Sequence, residues 1–142
     1  MTTVFADAVY WIAIVRPGDS WKESAEKARS SLGNARLLTT DEVLTEFLTA
    51  LSDGGPHLRK QAVKMVREIL DNANVRVLPQ TRDSFLHGVS LYEQRLDKQY
   101  SLTDCISMNA MRSESVTKIL TNDRHFKQEQ FDVLMITKHE TA

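Results

Sequence analysis

Thr3-Val4-Phe5-Ala6-Asp7-Ala8-Val9-Tyr10-Trp11-Ile12-Ala13-Ile14-Val15 is the stretch whose reading decides the fold. Its opening, Thr3 to Ala6, is compact, apolar and β-leaning, as a short buried strand is. Ala8 to Val15 reads as a helix, and Arg16-Pro17-Gly18 breaks it. One carboxylate, Asp7, stands between the two apolar runs. A strand that passes through a single polar residue into a helix is the start of a crossover unit. The rest of the chain then decides whether the unit repeats.

It does. Ser20 is placed to cap a helix through Leu32, with Glu23 three residues on to complete a capping box, and Gly33-Asn34 stops it. Ala35 to Thr39 reads as a second strand. Thr40 is the N-cap of the next helix, in which Leu44, Phe47, Leu48 and Leu51 recur at helical spacing until Gly54-Gly55-Pro56. Another helix spans about His57 to Asn72, with Ala62, Met65, Val66 and Ile69 on one face. Val75 to Pro79 is a third strand, Thr81 to Leu96 a helix, and Asp97-Lys98-Gln99 a polar turn. Thr103 is read as the cap of a helix through Met111. Val116 to Thr121 and Val133 to Ile136 are the fourth and fifth strands. Strands separated by helices require crossover connections. The expectation is therefore a single α/β domain over residues 1–142, a three-layer α/β/α sandwich on a five-stranded, mostly parallel sheet.

The 142 residues are 42% hydrophobic, enough to bury a core, so disorder is not the expected state. With 18 basic and 19 acidic side chains the net charge is −1. A general nucleic-acid binder relying on counterion release would be basic. Any RNA contact must then come from a local patch or through bound metal. Cys105 is the only cysteine, which excludes an intramolecular disulfide and a thiolate zinc cluster. No basic stretch followed by an apolar run marks a signal peptide, and no run is long enough to span a bilayer. The chain reads as soluble and cytoplasmic, with no membrane partner.

In open parallel sheets, sites form beyond the carboxyl ends of the strands. Asp7 follows the first strand, Asp123 follows the fourth, and Asp104 lies in the first turn of the helix before the fourth. Right-handed crossovers bring these strand ends to the same edge. Carboxylates gathered so closely repel unless one is protonated or a cation screens them. Hard oxygen donors suit Mg²⁺ or Mn²⁺, ions that activate water for phosphoester chemistry. Each acid also has a plainer reading. Asp104 suits a helix N-terminus, Asp123 a strand-exit turn. Glu46 sits opposite the apolar stripe of its helix, where an exposed charge is expected, and Asp41 and Glu42 rival it. Asp7 is harder to dismiss, because a carboxylate between apolar runs needs partners.

Tyr100-Ser101-Leu102-Thr103-Asp104-Cys105-Ile106-Ser107, followed by Leu120-Thr121-Asn122-Asp123-Arg124-His125-Phe126, strongly resembles the C-terminal signature of PIN domains, closest to the VapC-like toxins. Phe5-Ala6-Asp7 resembles their first motif, and Val43-Leu44-Thr45-Glu46-Phe47 the segment carrying their helical glutamate. The resemblance implies a PIN fold and an acidic pocket that binds Mg²⁺ or Mn²⁺ and cleaves RNA. It assigns Asp7, Glu46, Asp104 and Asp123 as the metal-binding, catalytic acids. It also implies the toxin of a toxin–antitoxin pair, silenced by a small antitoxin and homodimeric. Ala8 and Val9 depart from the small polar residue that members often carry after the first aspartate.

Lesser candidates surround these acids. Asp97, Asn122 and Thr103 are peripheral candidates, while Arg112, Arg124 and Lys127 lie near the site motifs as candidate phosphate contacts. His125 is a candidate base that a metal-bound hydroxide makes unnecessary. Cys105 reads as a small buried hydrophobe, and Tyr10, Trp11 and Trp21 as core aromatics. Three other readings compete: a housekeeping RNA-processing nuclease, a catalytically silent binding module, and a receiver-like domain phosphorylated on Asp7. The last lacks a second acid beside Asp7 and a lysine ending a late strand.

Overall fold

Val4, Phe5 and Ala6 are fully buried, because the strand they form lies inside the sheet. The computed structural model describes residues 2–136; Met1 and residues 137–142, which the single-domain reading of 1–142 includes, lie outside the described residues. Strand β1 (Thr3–Ala6) pairs on one side with β2 (Arg36–Thr40) and on the other with β4 (Lys118–Leu120). Beyond them lie β3 (Val75–Leu78) and β5 (Asp132–Val133). The order is β3-β2-β1-β4-β5, and every pairing is parallel. The expected five-stranded α/β architecture is the one observed.

Strand order and crossover handedness together place the helices. From β1 to β3 the chain steps outward one way, through α1 (Ala8–Val15), α2 (Lys22–Ser31), α3 (Asp41–Ala50) and α4 (Gly55–Asp71). It then returns past β1 to β4 by way of α5 (Arg82–Gln94) and α6 (Leu102–Ser113), and reaches β5 through α7 (His125–Gln128). Right-handed crossovers put the first group on one face of the sheet and the second on the other. The reversal of direction lies between β1 and β4, where Phe5 pairs with Ile119 and Ala6 with Leu120.

Local chemistry shifted several boundaries. Thr40 caps α3 as expected, its hydroxyl accepting from the Val43 N–H. Ser20 does not cap α2. That helix starts at Lys22 after Trp21, without a side-chain cap, because Asp19 instead holds the Trp21 N–H in the turn. Gly54-Gly55-Pro56 opens α4 rather than merely closing α3: Gly55 takes φ +90° and Pro56 occupies the first helical turn, where its missing N–H is harmless. Ser101, not Thr103, caps α6. The fourth and fifth strands are shorter than read, although Leu134 and Met135 still donate backbone N–H groups to Ile119 and Thr121. Helix α7 was not foreseen, since four residues carry no helical periodicity.

Helix α7 is fastened by two means. Phe126 is fully buried against Phe131, an aromatic burial worth about 3 kcal/mol. Glu129, just beyond the helix and only 7% exposed, accepts two bonds from Arg95 at 3.0 and 3.1 Å. It accepts further bonds from Arg112 at 2.9 Å and the Tyr100 hydroxyl at 2.9 Å. These donors, the Arg95 guanidinium first, hold the Glu129 carboxyl down at about 2, while the same contact and burial push the Tyr100 phenol up to about 12. The network ties the end of α5 and the approach to α6 onto α7.

Removing the carboxylate leaves two cations without their partner. Glu129→Gln is expected to lower stability at neutral pH by roughly 2–3 kcal/mol, below the full figure for buried pairs because both arginines can rehydrate. A carboxylate held below its unfolded value of 4.5 stabilises fully above that pH and loses the contribution as pH falls toward about 2. The gap between wild type and variant in urea unfolding should therefore close below about pH 4.5. Equal stability at pH 7 would refute this account of the network.

Candidate active site

Asp7 leaves β1 at the point where the strand order reverses, the usual location of sites in open parallel sheets. It is the N-cap of α1: Oδ1 accepts the Ala8 N–H at 2.9 Å. Oδ2 accepts the hydroxyl of Thr121, the residue after β4, at 2.8 Å. Its own N–H donates to the Leu120 carbonyl at 3.1 Å. The side chain is 7% exposed. Burial dominates its titration and, with repulsion from Asp104 and Asp123, outweighs the two hydrogen bonds, raising Asp7 to about 6.

Thr121 joins the first acid to the last. Its fully buried hydroxyl oxygen, besides donating to Asp7, accepts the Asp123 N–H at 3.2 Å. Asp123 Oδ1 in turn accepts the His125 N–H at 2.9 Å, which shapes the entry to α7. Asp104 enters from the opposite helical layer, in the first turn of α6. There Ser101 Oγ accepts the Asp104 N–H at 3.0 Å, and Asp104 Oδ2 accepts the Ser101 N–H at 3.1 Å. Asp104 is also shifted upward, by burial first and then by Asp123, with the Ser101 N–H and the neighbouring His125 pulling the other way. Helix-capping and site membership are thus compatible for Asp7 and Asp104, since a cap uses only part of a carboxylate's acceptor capacity.

Glu46 stands on α3. Val43, Leu44 and Phe47 are buried and Glu46 is exposed, as its place on the helix suggests. Its carboxyl is nevertheless pushed up to about 7, by desolvation first and then by Asp7, Asp104 and Asp123. Exposure and perturbation agree if the group is reachable by water yet within range of three other charges. Asp41, its rival, is engaged elsewhere: Oδ2 accepts the Gln80 N–H at 2.9 Å.

The remaining candidates divide. His125 Nδ1 lies 3.3 Å from Asp123 Oδ1 and 3.5 Å from Asp104 Oδ2. Arg112 is committed to Glu129 and lies over the Phe131 ring at 5.1 Å, so its guanidinium serves the fold. Arg124 and Lys127 are exposed on the segment after Asp123. Asp97 is 78% exposed beside Lys98, and Thr103 and Asn122 are half-buried next to site aspartates. Cys105 is fully buried, its thiol shifted upward by desolvation, as a small core residue should be. Tyr10 and Trp11 are core residues and Trp21 packs against the core. Sequence reading passed over Thr121 as the last residue of a strand, although a hydroxyl at a strand exit beside two aspartates is itself a signal.

Carboxylate oxygens, such as Asp7, Asp104 and Asp123 supply, are the donors that a hard divalent cation prefers. Burial first, and then repulsion among the acids, raises three of their pKa values, and a cation would relieve the repulsion. Ligand atoms of Asp104, Asp123 and His125 lie within 4.8 Å of one another. The residues fit a Mg²⁺ or Mn²⁺ centre.

This fold and site define a family. Residues 4–131 match the PIN domain, and the chain belongs to that family. Among solved structures, the chain is similar in fold to Mycobacterium tuberculosis VapC20, described as a sarcin-ricin loop cleaving toxin. The TM-score is 0.79 with 23% identity, over 90% of this chain and 95% of that one. FitAcB from Neisseria gonorrhoeae is more distant, with a TM-score of 0.61 and 16% identity over 92% of this chain and 96% of that one. No curated protein matches this chain in sequence. No described helix is long and apolar enough to cross a membrane.

Acids whose folded pKa lies above the unfolded value destabilise the fold once ionised. Asp7 rises from 3.8 to about 6 and Glu46 from 4.5 to about 7, so between those limits the folded state holds protons that the unfolded chain has released. Metal-free protein should melt several degrees higher at pH 5.5 than at pH 8, at roughly 3–6 °C per kcal/mol for a domain of this size. Thermal unfolding in chelator measures this. A melting temperature that climbs from pH 5.5 to 8 would contradict the mutual repulsion inferred here.

Proposed function

We propose that this chain is a Mg²⁺- or Mn²⁺-dependent endoribonuclease, the toxin component of a toxin–antitoxin pair acting in the cytoplasm. One observation carries the reading: in a PIN domain, Asp7, Asp104 and Glu46, from separate stretches of sequence, are each raised by burial and then by neighbouring site aspartates, Asp123 among them in every case. A domain that needed these acids only as caps and turns would not bring them together at this electrostatic expense. The toxin with a similar fold is described as cleaving RNA of the sarcin-ricin loop, which favours RNA as the substrate here.

The four acids would hold the metal, which supplies a water of lowered pKa and neutralises charge on the attacked phosphate. Asp7 is fixed before any metal arrives, since the Ala8 N–H and the Thr121 hydroxyl hold its two oxygens. Each oxygen retains a second lone pair for a cation. Glu46, at about 7, is the acid that most readily carries a proton in the empty state and gives it up as the cation enters. Arg124 and Lys127, exposed on the segment after Asp123, are assigned to the phosphates of bound RNA, with Thr103, Asn122 and Asp97 as peripheral residues. A protein partner is supported by the exposed apolar row of α5, Phe85, Leu86, Val89 and Tyr92, continued by Leu96. We assign that partner as the antitoxin or a second copy of the chain, the homodimer that the VapC-like toxins imply.

Asp7→Asn and Asp104→Asn are near-isosteric and should leave the fold intact by circular dichroism. Each is expected to reduce RNA cleavage in Mn²⁺ by more than the roughly 10–100-fold that loss of an outer-shell partner typically causes. Growth arrest and RNA loss on induced expression should disappear in parallel. Variants that cleave RNA as fast as wild type would rule out the mechanism, and absence of divalent-metal binding would favour a silent binding module.

A further inference from the structure

The PIN signature accounts for the acids but leaves His125 without a task. Its Nδ1 is buried and has no hydrogen-bond partner among the described residues. A buried imidazole nitrogen normally finds one. The nearest groups are Asp123 Oδ1 at 3.3 Å and Asp104 Oδ2 at 3.5 Å, long for hydrogen bonds although His125 still exerts a hydrogen-bond pull on the Asp104 carboxyl. Both of those oxygens already accept backbone N–H bonds, from His125 and from Ser101. The nitrogen and the two oxygens therefore lie close enough together to share one ion.

We infer that His125 Nδ1 is a ligand of the metal held by Asp104 and Asp123, making the centre a mixed nitrogen–oxygen site. The inference rests on the metal-dependent reading above and specifies its donor set. The three ligand atoms lie within 4.8 Å of one another, so one cation can touch all three. Adjacent ligands about 2.0–2.1 Å from an octahedral ion stand on the order of 3 Å apart, near the separations seen here. The ring is also oriented independently of any metal. It packs on Tyr100 with centroids 5.3 Å apart, and the Tyr100 hydroxyl is anchored on Glu129. A ligating imidazole needs that kind of outer support.

The donor change has a chemical consequence. Mg²⁺ prefers an all-oxygen shell, whereas first-row transition ions accept imidazole readily. His125 would thus tilt the centre toward Mn²⁺ or a later divalent ion and away from Mg²⁺. The Glu129 network acquires a role as well: through Tyr100 it keeps a metal ligand in register, as a positioning element that touches no substrate.

Electron spin-echo envelope modulation on Mn²⁺ bound to the wild-type chain tests this without reference to activity. The expected result is ¹⁴N modulation from a directly bound imidazole, lost in His125→Asn. That variant should bind Mn²⁺ at least about tenfold more weakly in calorimetry while its Mg²⁺ affinity changes less. Bound Mn²⁺ with no nitrogen coupling would overturn the inference and leave the acidic metal centre standing. Coupling that persists in His125→Asn would overturn the assignment to this residue. Failure of the wild-type chain to bind Mn²⁺ at all would remove both the inference and the function it rests on.

Discussion

The hydrogen bond from the Thr121 hydroxyl to Asp7 Oδ2, 2.8 Å long, joins residues 114 apart in sequence at the seam where the sheet reverses its order. Much of the site depends on it. Asp7 is buried between two apolar segments, and a carboxylate in that position must be hydrogen-bonded to be tolerated. The Ala8 N–H and Thr121 supply those bonds, and Thr121 passes the constraint on by accepting the Asp123 N–H. One hydroxyl thus sets the first and the last aspartate in the same frame. It can do so only because β1 and β4 lie side by side, in register at Ala6 and Leu120.

The acids are assembled by ordinary folding devices. Asp7 caps α1, Asp104 closes a capping box with Ser101, and Asp123 holds the N–H of His125. Each bond is a routine way of ending a strand or beginning a helix, and each leaves acceptor capacity unused. Burial first, and then the charge of neighbouring acids that the fold leaves unneutralised, holds Asp7 and Glu46 far above their ordinary values. The opposite arrangement holds Glu129, where two guanidinium groups and a phenol keep one buried carboxylate ionised. One acidic cluster is held charged to fasten structure. The other is left under tension, ready for a cation.

Several features were legible along the chain because they rest on local rules. Thr40 and Thr81 were placed correctly at helix starts, and helices α3 and α4 were recognised from their apolar spacing. Where reading failed, the winning contact was usually a neighbouring side chain with a better-placed oxygen. Asp19 displaced Ser20, and Ser101 displaced Thr103. Helix α7 escaped notice because its fastening is nonlocal, by Phe126 and by a glutamate paired with arginines from α6 and from just beyond α5.

By itself the sequence determined the alternation of strand and helix, the parallel sheet, and the presence of aspartates at two strand exits and one helix start. Those follow from periodicity and capping, which act over a few residues. The resemblance named Glu46, and only the tertiary structure puts it within electrostatic range of Asp7, Asp104 and Asp123. On its own helix it is an exposed charge opposite the core stripe, and nothing within a few residues tells bulk solvent from an acidic pocket. The same holds for Thr121, His125 and Arg112. Their tasks are set by groups brought close through strand order, and that proximity is a property of the fold, not of any segment of the chain.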